Sequence, residues 1–246
     1  MADQKFVVMT CAYNAQPWIG KCMSSVRQQS YKNYVHVVVD DASTDHTWIE
    51  IDIHNHQRVK RYRNNENVKW IQNAIRHLDD NILDEEDVIV ILDGDDWLPH
   101  GSIFEWLRQM YTLGSPWMTY SLFQYPDGGT SEWIPRYTTE TLKNRDFRNV
   151  PWSFTHLRTF KAFLWDNLNK NDLRAPDGNY TPYTYDQALL FPMLEMCPYG
   201  KVKYIDNPMY VYNTDNPIQV EKYDKVKQQA LGRWFRSKPK YDILER

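Results

Sequence analysis

The alternation in the first hundred residues restricts this chain's fold more than any other feature. Short, β-branched apolar runs lie at residues 5–10, 36–39, 59–62 and 88–92. Segments with helical spacing separate them. The first begins at Pro17, a residue suited to the first turn of a helix, and puts Trp18, Ile19, Cys22, Met23 and Val26 on one stripe. The second covers residues 46–55, and the third covers 68–78 with Ile71, Ala74, Ile75 and Leu78 on one face. Strand and helix alternating through short loops imply right-handed crossovers and a mostly parallel central sheet with helices on both faces. The predicted class is α/β.

The run at 88–92 has no polar residue, so it reads as a strand buried on both faces. Asp93, Asp95 and Asp96 follow it, with Gly94 between. At an effective dielectric near 20 and a spacing of about 4 Å, each pair of such carboxylates costs about 4 kcal/mol. The side chains must fan apart, hold a proton, or surround a cation. Gly94 permits a tight turn or a close ligand. Open α/β sheets bind ligands beyond the carboxyl ends of their strands. A turn of solvated acids leading to a capped helix would use the same residues.

Beyond this point the pattern predicts a helix over 101–113, a strand over 117–125 and a turn at 126–129. A strand passing into a helix follows over 152–168, then a polar loop over 169–182. A helix over 186–196 should be bent or divided by Pro192. Short strands at 202–205 and 209–212 precede a tail helix over 218–235. The net charge of −3 gives no case for a nucleic-acid partner. Cys11, Cys22 and Cys197 are odd in number and lack metal-site spacing, so they read as free thiols in a reducing compartment. No signal peptide and no apolar run of membrane-spanning length is evident, and the expectation is a cytoplasmic protein. Neither common glycine-rich phosphate loop is present.

Four blocks occur in a telling order. They are Val7-Val-Met-Thr-Cys-Ala-Tyr-Asn14, His36-Val-Val-Val-Asp-Asp-Ala-Ser-Thr-Asp-His-Thr47, Ile91-Leu-Asp-Gly-Asp-Asp-Trp-Leu-Pro99 and Thr184-Tyr-Asp-Gln-Ala-Leu189. Together they resemble the family 2 glycosyltransferases of the GT-A fold. The resemblance implies one GT-A domain over 1–217, with a nucleotide-sugar half at 1–98, an acceptor half at 99–217 and a helical tail at 218–246. It implies transfer of a sugar from a nucleotide-diphosphate donor, UDP-linked by preference, to an acceptor hydroxyl with inversion. The acceptor would be a glycan, a glycolipid or a protein.

By the same resemblance, Asp93 and Asp95 form the family's Asp-x-Asp (DXD) motif and hold manganese or magnesium, Mn²⁺ or Mg²⁺. Oxygen ligands suit those ions better than zinc. Asp93 would also lie near the ribose, beside Gly94. Cys11, Ala12, Tyr13 and Asn14 form the loop against the base, and Asp41 resembles the acid that accepts the base N–H. Asp186 matches the general base that takes the acceptor proton, although it could simply cap its helix. Ser43, Thr44 and Asp45 read as turn and helix-cap chemistry, and Asp40 as structural.

Departures from the family pattern matter. Tyr185 stands where Glu is common, and Val68 and Gln72 replace residues of the donor-contacting helix, leaving Lys69 to supply the cation. No His follows the last strand pair, where Asp215 is the candidate substitute. Asp96, Trp97, His156 and Arg158 are further candidates for donor or acceptor contact. A catalytically weak scaffold that binds nucleotide or glycan is the alternative to an enzyme.

Overall fold

A computed structural model of the chain describes residues 3–78, 83–217 and 224–246. The first four strands are β1 (Phe6–Ala12), β2 (Tyr34–Asp40), β3 (Val59–Arg63) and β4 (Val88–Ile91). Helices α1 (Gln16–Arg27), α2 (Thr47–Ile53) and α3 (Lys69–Leu78) link them. After β4 come α4 (Ile103–Gly114), β5 (Met118–Gln124), α5 (Thr139–Asn144), β6 (Arg158–Lys161) and α6 (Ala162–Asp166). The chain ends with α7 (Tyr185–Met196), β7 (Val202–Val211) and α8 (Lys225–Ser237).

One seven-stranded sheet has the order β3-β2-β1-β4-β6-β5-β7. Only β6 runs against its neighbours, pairing antiparallel with both β4 and β5. The paired rows Phe6↔Val88, Val7↔Ile89, Val8↔Val90 and Met9↔Ile91 explain the unbroken apolar runs. Val7, Met9, Ile89 and Ile91 enter a core with α3, α6 and α7. Phe6, Val8, Val88 and Val90 enter a second core with α1 and α4. With both faces covered, β1 and β4 have no solvent face to carry polar residues. Ile19, Cys22, Met23 and Val26 of α1 are buried, as their spacing predicts.

Several sequence expectations need correction. The two strands expected at 202–205 and 209–212 are one strand, because both segments pair with β5 and shifts in register absorb the extra residues before Pro208. Pro192 does not divide α7, which is a single helix. The strand-to-helix segment expected over 152–168 is limited to 158–166. Helix α5 was not expected; Thr138 caps it by accepting from Thr141 N at 3.1 Å, but six residues are too few to show a period. The polar loop at 169–182 contains a 3-10 turn, Lys170–Leu173, and a bridge between Arg174 and Tyr180. The part of the expected tail helix at 218–223 lies outside the described residues. From Lys225 onward the tail packs on the domain: Phe235 is buried, and its carbonyl accepts a hydrogen bond from Arg148 Nη1. No described helix is long and apolar enough to cross a membrane.

Candidate active site

The carboxyl ends of β1 and β4 open into a cleft of about 330 Å³. Cys11, Ala12, Tyr13, Asp41, Lys69, Asp93, Asp95, Asp96, His156, Arg158 and Asp186 all line it. Asn14, Gln72, Gly94 and Trp97 are not among its walls. Asn14 N donates to Ser43 Oγ (3.0 Å), and Asn14 Oδ1 accepts from Thr44 N (2.8 Å), so this residue knits two loops behind the cleft. Gln72 is half-buried on α3. Trp97 lies under Lys21 Nζ, 3.4 Å from the ring centroid, and its backbone pairs with Val211. Gly94 closes the turn: a Cβ there would stand 2.8 Å from Ala12 Cβ and 2.9 Å from Cys11 O.

The three acids after β4 differ. Asp96 is almost fully buried, and both its oxygens are taken, by Tyr210 OH (2.6 Å) and Asn213 N (2.7 Å). Burial and the neighbouring acids Asp95 and Asp93 push its carboxyl well above the usual range. It anchors the end of β7. Asp95 accepts from Asn216 Nδ2 (2.8 Å), and burial raises its carboxyl. Asp93 accepts from Tyr185 OH (2.9 and 3.2 Å), and its backbone N–H donates to Tyr210 OH (3.2 Å). Burial, then the Asp95 charge, pushes its carboxyl up to about 6. Burial is the larger cause, and the repulsion expected of clustered acids adds to it.

No described group of three or more His, Cys, Asp or Glu side chains could hold a metal by itself. With Asp96 committed, Asp93 and Asp95 remain. Two carboxylates fit a hard divalent ion whose other ligands are water and substrate phosphate, the usual way proteins hold Mg²⁺.

The antiparallel course of β6 places its first residue beside the carboxyl end of β4, where Arg158 pairs with Ile91 in register. Arg158 is buried, donates from Nε to Phe154 O (3.0 Å), and from Nη2 to Asp186 Oδ2 (3.2 Å). Asp186 lies in the first turn of α7, where its Oδ1 also accepts from Gln187 N (2.8 Å). It therefore meets a second element as well as its own helix. His156 is buried; desolvation, then the Arg158 charge, holds its pKa well below the ordinary value, so the ring is neutral. That ring stacks on Tyr210 at 4.5 Å.

Asp41 has a local role. Its oxygens accept from Val68 N (3.0 Å), Lys69 N (2.8 Å) and Asn64 Nδ2 (2.8 Å), which holds the start of α3. A carboxylate offers about four acceptor positions, so one remains. Lys69 Nζ stands 5.6 Å above the Tyr13 ring. Asp40 bridges Ser43 N (3.0 Å) and Arg63 Nε (3.1 Å), and Asp45 accepts from Thr47 N (2.9 Å) and Gln16 N (3.2 Å), the structural duties read for them. Burial, then Asp41 and Asp93, raises the Cys11 thiol well above its ordinary pKa, and no cysteine is in a disulfide.

The sequence reading missed several wall residues. Tyr185, noted only as a departure, ties Asp93 to a stack with Trp70 at 4.6 Å and 12°. Trp70 Nε1 and Asn67 Oδ1 are buried without a hydrogen-bond partner, and both residues line the cleft. Asn216, not Asp215, reaches the acid pair. Gln228 of α8 closes one side. Tyr185 carried a signal through its place beside Asp186; Asn67 and Asn216 lie in loops without periodicity, and Trp70 and Gln228 lie on helices whose spacing does not mark them as cleft walls.

The model of the Glycosyl transferase family 2 matches residues 7–168. No curated protein matches. Among solved structures, S. aureus TarS is similar with a TM-score of 0.66 and 17% identity, over 93% of this chain and 39% of that one. TarS 1–349 in complex with UDP-GlcNAc gives 0.67 and 16%, over 94% and 66%. Mannosyltransferase PcManGT from Pyrobaculum calidifontis, in complex with GDP-Man and Mn²⁺, gives 0.61 and 16%, over 98% and 66%. This chain thus spans less than two thirds of those proteins' length, and at such identity the likeness is one of fold, the GT-A fold. The family model covers well over half of the sequence, and the chain belongs to glycosyltransferase family 2.

Proposed function

We propose that this chain transfers a sugar from a nucleotide-diphosphate donor, UDP-linked by preference, to an acceptor hydroxyl with inversion. The observation that carries the reading is one cleft with two separate acidic walls. Asp93 and Asp95 stand at the end of β4, and Asp186 stands on α7 with Arg158 joined to it. The similar solved structures in complex with UDP-GlcNAc, with UDP, or with GDP-Man and Mn²⁺ support the donor class.

In this reading residues 1–98 hold the donor, with Tyr13 against the base and the remaining acceptor position of Asp41 on its N–H. Asn67 Oδ1 and Trp70 Nε1 offer an unused acceptor and donor to the same ligand. Asp93 and Asp95 would hold Mg²⁺ or Mn²⁺, which supplies positive charge to the departing diphosphate when bound. Tyr185 fixes the Asp93 carboxylate from below, braced by Trp70. Arg158 has guanidinium N–H groups beyond those on Phe154 O and Asp186, and these can meet phosphate oxygens. Asp186, oriented by Arg158 and its own helix, takes the proton of the attacking hydroxyl. Inversion follows when base and leaving group lie on opposite sides of the anomeric carbon.

The test is a thermal-shift and hydrolysis panel of UDP-, GDP-, dTDP- and CMP-sugars, each with Mn²⁺, Mg²⁺ or EDTA. A native-state ligand at a hundred times its dissociation constant adds about 2.7 kcal/mol to stability. The expected result is stabilisation by UDP-sugars that EDTA abolishes, with slow release of free sugar. Metal-independent binding without turnover would replace the enzyme by the nucleotide-holding scaffold.

A further inference from the structure

A second pocket of about 410 Å³ opens on the other side of Asp186, between α7 and α8, and shares Thr184, Asp186 and Gln228 with the cleft. Its polar equipment is unspent. Trp152 Nε1 and Gln187 Oε1 are buried and have no hydrogen-bond partner, although both side chains line the pocket. One is a donor and the other an acceptor. Leaving such atoms buried and unpaired is unfavourable, and a ligand hydroxyl can relieve it because it both donates and accepts. The Trp152 indole, set edge-on to Phe191 at 5.0 Å, adds an apolar surface.

The charge on the walls is one-sided. Arg233 and Arg236 line the pocket, and Asp186 is the sole acid among the lining residues. Asp186 already faces Arg158. Arg236 Nη1 is occupied by the carbonyls of Phe147, Arg148 and Val150, whereas exposed Arg233 has no salt-bridge partner among the described residues. A guanidinium fork of this kind suits a carboxylate or phosphate.

We infer that this pocket is the acceptor subsite, and that it takes a saccharide bearing an anionic group. The sugar's hydroxyls meet Trp152 Nε1 and Gln187 Oε1, its anionic group meets Arg233, and the hydroxyl to be glycosylated reaches Asp186. The inference rests on the transferase reading, yet acceptor binding can be measured without turnover. Gly232 gives an independent handle. It is helical, and a Cβ there would lie 3.4 Å from Gln187 Oε1, so a longer side chain grows into the pocket.

The experiment is saturation-transfer NMR on the full chain with three probe sets: neutral oligosaccharides, uronate-containing oligosaccharides and phosphate-bearing oligosaccharides. Wild type is expected to bind at least one anionic set tenfold or more tighter than the neutral one, and which set does so distinguishes carboxylate from phosphate. Arg233→Gln should erase that preference, Trp152→Phe should weaken both kinds of ligand, and Gly232→Leu should abolish binding. A cooperative melting transition without ligand shows that each variant is folded. Equal binding of neutral and anionic sugars, no saccharide binding, or a preference that survives Arg233→Gln would overturn the inference. Saccharide binding without any donor effect would keep this subsite and sink the transferase reading instead.

Discussion

The two walls of the cleft are built in different ways. The wall at the carboxyl ends of β1 and β4 is local: Cys11 and Ala12 end β1 and Tyr13 comes next, while Asp93 to Asp96 come just after β4. Once strand pairing is set, these residues have little freedom. The opposite wall is assembled from Arg158 on β6, Tyr185 and Asp186 on α7, and Gln228 on α8. Its members are tied by side-chain bonds across long stretches of sequence: Arg158 to Asp186, Tyr185 to Asp93, and Thr184 Oγ1 to Gln228 O at 3.1 Å. Chemistry that must be common to a reaction class sits well on the first kind of wall. Recognition of one acceptor among many suits the second, where a change of loop or tail alters the surface without disturbing the sheet.

The comparison breaks first at the acids. Asp95→Ala should lower transfer by about a thousandfold, the scale for losing one group that stabilises developing charge. The fold should survive, because among the described residues the side-chain hydrogen bond of Asp95 is the one from Asn216. Activity near wild type in a folded variant would remove the metal from the first wall. Asp186→Asn should follow, at about a hundredfold or more, the usual contribution of a general base. Donor-induced stabilisation should persist in that variant. If donor binding fell instead of the chemical rate, the second wall would be part of the donor site and the division drawn above would be false.

The same contrast explains what could be read from sequence. Unbroken runs such as Val88 to Ile91 betray a strand covered on both sides, so the sheet and the Asp93 cluster were legible. The separate fates of Asp95 and Asp96 were not, since Tyr210 and Asn213 lie over a hundred positions away. Tyr185 looked like a defect in a motif; its bond to Asp93 appears only when α7 is docked on α3. Asp41 reads as a ligand contact, and nothing local announced that Val68, Lys69 and Asn64 would also use three of its about four acceptor positions. Pro192 reads as a breaker in a periodicity argument, yet α7 runs through it as one helix.

Within the first wall the tightest point is Gly94. Adding a methyl drives it against Ala12 Cβ and the Cys11 carbonyl, and backbone cannot yield as a flexible side chain can. Gly94→Ala should therefore cost about 2 kcal/mol of stability, as overpacking does, read as a lower denaturant midpoint with unchanged slope. A smaller penalty would mean that this wall is looser than its strand pairing suggests. Below it, His36 is fully buried between strands with Thr10 Oγ1 at 2.9 Å, and burial, then His56, pushes its pKa down to about 3. The unfolded chain takes up this proton below about pH 6.5 and the folded chain does not. Stability therefore falls as pH drops from about 6.5 towards 3, by at most about 1.4 kcal/mol per unit from this group. Other groups titrate in the same window, Asp93 with the opposite sign, so the difference between wild type and His36→Gln is the quantity to follow. Midpoints at pH 7, 6, 5 and 4 should converge on, or fall below, those of the variant as acid is added; parallel profiles would show that His36 does not set the acid limit.

The smallest effect tests the Tyr185 hydroxyl, which joins the two walls. Tyr185→Phe keeps the ring against Trp70 and removes only the hydroxyl on Asp93. Burial, then the Asp93 charge, keeps the Tyr185 hydroxyl protonated, so it acts as a donor to that carboxylate. Its loss should weaken donor and metal binding about fivefold, near 1 kcal/mol, the net worth of an ordinary hydrogen bond. The melting temperature without ligand should hardly move, since the stack remains. An unchanged metal titration would mean that Asp93 is positioned by β4 alone, with the walls independent. A loss as large as that of Asp95→Ala would mean the reverse: the two walls form one unit, and the acid pair is competent only when α7 reaches across to hold it.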